Sequence, residues 1–101
     1  MAAYLLVEAK VHDAVAYDAY RTLAALAVAK YKGRYLARGG DVEVLEGAWS
    51  KPERLVIIEF DSVEQAQAFY NSSEYLVARE ARKEAAEMNI LVVQGLPLLS
   101  D

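Results

Sequence analysis

The chain has 101 residues, 55% of them hydrophobic, a formal net charge of −4 and no cysteine. This length predicts a single domain over residues 1–96 with 97–101 as a tail, and the apolar content excludes disorder for most of the chain. The charge and the lack of any basic tract exclude nucleic acid as a partner, and the missing cysteine removes disulfides, thiolate metal sites and a cysteine nucleophile.

No apolar segment approaches the ~20 residues needed to span a bilayer. The opening MAAYLLVEAK lacks the basic lead of a signal peptide. A cytoplasmic protein with no membrane association is expected.

Ala3 to Lys10 alternates as a first strand, with Leu5 and Val7 on one face and Tyr4, Leu6 and Glu8 on the other. Asp13 is a good N-cap for an alanine-rich helix running to about Tyr31, with Tyr17, Tyr20, Ala24 and Ala27 on one stripe and Gly33 as the expected C-cap. Arg34 to Arg38 is a second strand closed by the Gly39-Gly40 turn. Asp41 to Glu46 extends or folds back from it, and Gly47 to Glu53 is a loop carrying Trp49 and Pro52.

The run Leu55 to Phe60 is the most strand-like segment: Val56, Ile57 and Ile58 are β-branched and the run is too short for a helix. Ser62 and Gln65 read as a capping box for a short helix, which Asn71-Ser72-Ser73 breaks. A second helix is expected from Glu74 to about Glu87, and a last strand over Ile90 to Gln94.

This order predicts an α+β, ferredoxin-like βαββαβ fold, with an antiparallel sheet in spatial order fourth, first, third, second and the helices on one face. The expected core face holds Leu5, Val7, Tyr35, Ala37, Val56, Ile58, Phe60, Leu91 and Val93. The opposite face holds Leu6, Glu8, Leu36, Arg38, Leu55, Ile57, Glu59, Ile90 and Val92. The latter is too apolar to face water, and a second subunit is its simplest cover.

Several stretches resemble the bacterial proteins grouped as domain of unknown function 1330. They are Asp13, Tyr17 and Tyr20 in D-x-x-x-Y-x-x-Y, the segment Gly33 to Gly40, Glu46-Gly47 with Trp49, Val56 to Phe60, and Tyr70-x-Ser72-x-Glu74-Tyr75. The resemblance implies a dimeric α/β barrel formed sheet against sheet, and it implies no activity. Ala14 departs from the proline common after the aspartate.

Strand directions in this topology bring Glu8 and Arg38 to one end of the bare face, with His12 above and Trp49 and Arg54 entering from the loop. With Tyr17 at the same end of its helix, these residues are the expected walls of a barrel-mouth pocket for a small anionic or aromatic organic molecule. Glu8 and Arg38 equally suit an ion pair. Glu59, at the other end of that face, has the setting of a general base or of an acceptor for a tyrosine hydroxyl. Tyr75, Arg79 and Arg82 share a helix face, as an anion grip or as a solvated surface. No metal or organic cofactor is expected. A homodimer that binds a small organic acid, a cofactor-independent enzyme of monooxygenase or isomerase type, and a purely structural dimerisation module are the readings left open.

Overall fold

The computed structural model describes residues 1–97; of the expected tail over 97–101, residues 98–101 lie outside the described residues. Four strands and three helices follow one another: β1 (Ala3–Val11), α1 (Ala14–Lys30), β2 (Arg34–Arg38), β3 (Arg54–Phe60), α2 (Val63–Tyr70), α3 (Ser73–Ala81) and β4 (Ala86–Gln94). The sheet order is β2-β3-β1-β4, with each neighbouring pair antiparallel. This is the ferredoxin-like arrangement expected from the sequence.

Caps set the helix boundaries. The Asp13 carboxylate accepts from the Val15 and Ala16 N–H groups, Ser62 Oγ from Gln65 N–H, and Ser72 Oγ from Tyr75 N–H. At the end of α1 the left-handed position falls on Lys32, at φ 62°, rather than on Gly33. Gly33 N–H donates to the Val28 carbonyl and Lys32 N–H to that of Ala29, which is the Schellman pattern. Gly33 is needed instead for close packing, since a Cβ there would lie 2.8 Å from the Phe60 and Val28 side chains.

Leu5, Val7, Val56, Ile58 and Phe60 of the sheet bury against Tyr20, Ala24, Ala27 and Val28 of α1, Phe69 of α2 and Tyr75 of α3. β4 departs from expectation twice. It starts at Ala86, so the last helix ends at Ala81, well short of Glu87. Nine residues of β4 pair with all nine of β1, and the Ala85 carbonyl accepts from the His12 and Asp13 N–H groups. The ladder overrides the helix propensity of Lys83 to Glu87. Its phase is also opposite: Leu5 lies across from Val92 and Val7 from Ile90, so Ile90 and Val92 face the core. Leu91 and Val93 join the bare face, 57% and 50% exposed. A strand apolar on both sides carries no phase signal of its own.

The bare face, with Leu6, Leu36, Leu55, Ile57, Leu91 and Val93, has no covering layer among the described residues. Residues 41–53 follow β2 without joining the sheet, and Val42, Val44, Leu45 and Trp49 line a concavity with Leu6, Leu55 and Leu91.

Candidate functional site

The decisive local feature is a β-bulge in β2. Tyr35 lies across from Ile58, but Ala37 lies across from Ile57 and Arg38 from Val56. The extra residue, Leu36, shifts the alternation by one, because side chains change face at every residue. Arg38 therefore projects to the helix side and not, as expected, to the bare face beside Glu8. Its guanidinium lies 4.4 Å from the Tyr35 ring centroid and Nη2 donates to the Arg21 carbonyl at 3.4 Å.

Arg54 is also on the helix side. It lies across from buried Ala9 in the β1–β3 ladder, and its guanidinium stands 5.6 Å from the Tyr17 ring centroid. Gly39, at φ 83°, turns the chain directly over it, with its N–H donating to the Leu55 carbonyl. Arg21 completes the group from α1, four residues after Tyr17 and so on the same side of the helix. Arg21, Arg38 and Arg54 line a void of about 30 Å³ between α1 and the sheet, whose walls include Tyr17, Tyr20, Tyr35, Val56, Phe69 and Tyr75.

Electrostatically this void is one-sided. No aspartate or glutamate among the described residues lines it. Arg21 has one ion pair, to exposed Asp18 at 3.3 Å, while Arg38 and Arg54 have none among the described residues. The Nε atoms of Arg21 and Arg54 are buried without a hydrogen-bond partner. Beneath them the Tyr20 and Tyr75 hydroxyls share a 2.8 Å hydrogen bond. Burial, reinforced by the charge and hydrogen bond of Tyr75, pushes the Tyr20 phenol far above the ordinary tyrosine range, so it stays protonated. Burial likewise raises Tyr35.

The expected site residues thus divide. Tyr17, Arg38 and Arg54 meet on the helix side. Glu8 and Trp49 lie on the opposite side, where Glu8 accepts from Asn89 Nδ2 at 3.0 Å rather than pairing with Arg38, and Trp49 stays 76% exposed. His12 stands apart, paired with Glu87 at 2.8 Å. Glu59 is held at the far end by Arg34 Nε at 3.0 Å, not by a tyrosine, and Asp61 takes another nitrogen of the same guanidinium. Tyr75 is buried, while Arg79 and Arg82 lie over the Tyr70 and Tyr20 rings. Arg21, Tyr20 and Tyr35 are the site residues that sequence reasoning left out, while Tyr75 was read with Arg79 and Arg82 instead. The i, i+4 relation of Tyr17 and Arg21 was the available signal. No group of three His, Cys, Asp or Glu able to hold a metal occurs among the described residues.

Residues 2–96 match the family described as Domain of unknown function (DUF1330). A search of curated proteins found no match. Solved structures of similar fold include a protein of unknown function from Rhodopseudomonas palustris, 17% identical with TM-score 0.75, covering 95% of this chain and 83% of that one. A dimeric protein of unknown function with a ferredoxin-like fold from Bacteroides fragilis is 14% identical, with TM-score 0.62 and coverage of 93% and 96%. A cofactor-independent oxygenase from Streptomyces nogalater is 10% identical, with TM-score 0.67 and coverage of 99% and 98%. At these identities the likeness concerns the fold alone.

Proposed function

From the premise that the chain belongs to the DUF1330 family, we propose that it is a homodimeric binder of a small organic anion, held in the cleft between α1 and the sheet. One observation carries this reading. Three guanidinium groups from three separate elements converge on an aromatic-walled void that no carboxylate of the described residues lines. Like charges gathered in a partly desolvated place repel one another, and an anion relieves that repulsion while accepting the unpartnered N–H groups. The site is moved from the bare-face barrel mouth to the helix side, with Tyr17, Arg38 and Arg54 kept and Arg21 added.

The dimer uses the bare sheet face, as the exposed Leu36, Leu91 and Val93 support. A second reading, a cofactor-independent enzyme acting on the bound anion, is favoured by the Tyr20–Tyr75 pair, because hydrogen-bonded hydroxyls can pass on a proton.

Thermal melts of wild type and Arg54→Gln with a panel of organic acids test the binding reading. A ligand at about 100 times its Kd adds about 2.7 kcal/mol to the stability of the native state. At least one acid is expected to raise the wild-type melting temperature and to leave Arg54→Gln unmoved. Arg54 makes no ion pair among the described residues, so the unliganded variant should melt close to wild type. If no acid shifts wild type, the structural-module reading takes over.

A further inference from the structure

The void is narrower in its demands than a general anion site. Among the described residues its polar side chains are arginines and tyrosines. Arginine donates and cannot accept. The Tyr20–Tyr75 pair has two O–H groups but only one hydrogen bond between them, so one buried O–H remains to be given. Tyr20 is 7% and Tyr75 2% exposed. With the unpartnered Nε atoms of Arg21 and Arg54, the void offers a surplus of donors. Water satisfies this less fully, because it accepts from two donors at most and must aim its own two protons at tyrosine oxygens. An oxyanion brings acceptors alone.

Size then selects among oxyanions. A void of about 30 Å³ holds roughly two water-sized atoms. A planar carboxylate presents two oxygens, whereas a tetrahedral phosphoryl or sulfonyl group presents three or four. Outside the void Arg21 and Arg38 also line an open depression with Asp18, which pairs with Arg21, and with Thr22, Ala25 and Leu26, of which Leu26 is 66% exposed. The two arginines stand where an inner void, largely apolar-walled but with donors as its polar groups, meets an outer shelf of mixed polarity.

Building on the anion-binding reading above, we propose that the ligand is a monocarboxylic acid, its carboxylate inside the void on Arg54 and the Tyr20–Tyr75 hydroxyls, its apolar remainder over Ala25 and Leu26. Tyr20 and Tyr75 then act as binding residues, beyond their packing role.

Calorimetric titration of wild type with pentanoate, benzoate and butylphosphonate tests the head-group claim. Charge alone favours the phosphonate, which carries more of it near neutral pH. Fit to the void favours the carboxylates, by about tenfold in Kd or more. Tyr75→Phe and Tyr20→Phe keep the rings and remove one hydroxyl each. The variant that removes the hydroxyl giving the free O–H is expected to weaken benzoate about tenfold, the scale of a hydrogen bond to a charged group. If carboxylates bind and the phosphonate binds as tightly, the inner-void placement is overturned while the anion site stands. Equal benzoate affinity in wild type and in both folded Phe variants overturns it in the same way. If none of the three acids binds, the carboxylate proposal falls too, and a positive result from the wider acid panel then decides whether the anion site survives it.

Discussion

Gly39 shows how one residue without a side chain can set a charged group. Its φ of 83° is a region that L side chains enter at a cost of about 1–3 kcal/mol. A Cβ there would lie 2.2 Å from Arg54 Nη1. Gly39→Ala therefore has two consequences: a loss of roughly 1–2 kcal/mol in stability and displacement of the guanidinium from Tyr17. Chemical denaturation measures the first, and organic-acid binding the second. An alanine variant with unchanged acid affinity would show that the position of Arg54 does not depend on this turn. Gly40, with open space around its would-be Cβ, is the natural control.

Among the elements, α3 depends on its N-cap residue more than its length suggests. Ser72 is buried, its Oγ donating to the Phe69 carbonyl at 2.7 Å and accepting from Tyr75 N–H at 3.0 Å. It joins the end of α2 to the start of α3 and orients Tyr75, whose ring packs 4.6 Å from that of Phe69. Ser72→Ala removes both bonds in a place closed to water, and a loss of about 1–2 kcal/mol in urea unfolding is expected. A second support for α3 comes from α1, where Lys30 pairs with Glu74. The Lys30 hydrogen bond is the main reason the Glu74 carboxyl titrates below its usual range. Its stabilising share is present above the ordinary glutamate pKa and fades as pH falls below it, and exposure keeps that share small.

The proposed homodimer makes its own prediction at the scale of the whole molecule. Leu91 is 57% exposed on the bare face and lies across from Leu6 near the middle of β1. Leu91→Lys leaves the helix-side core untouched, so the single chain should fold. A buried, unpaired ammonium in the interface would cost several kcal/mol. Sedimentation velocity is expected to give a dimer for wild type and a monomer for the variant. A wild-type monomer at micromolar concentration would rule out this use of the face. Val92→Lys is the contrasting case: Val92 packs against the helix-side core, so that variant should lose stability rather than assembly.

What the sequence determined by itself was the order of elements and most of their limits, because alternation, β-branching and capping residues act over a few neighbours. Leu55 to Phe60, Asp13, Ser62 and the Asn71-Ser72-Ser73 break belong to that class, and the ferredoxin-like topology follows from them. Tertiary structure decided which way the ambiguous segments face. Ile90 to Val93 is apolar at every position, so only the register against β1 could put Val92 inside and Leu91 outside. The bulge at Leu36 arises from the fit of β2 to β3, and nothing local to Arg34–Arg38 announces it. That single inserted residue carried Arg38 across the sheet, away from Glu8 and into the company of Arg21, Arg54 and the buried tyrosines. Local patterns define which residues carry chemistry, but side-chain direction in a strand reverses with each residue. The meeting of those groups was therefore decided by long-range pairing.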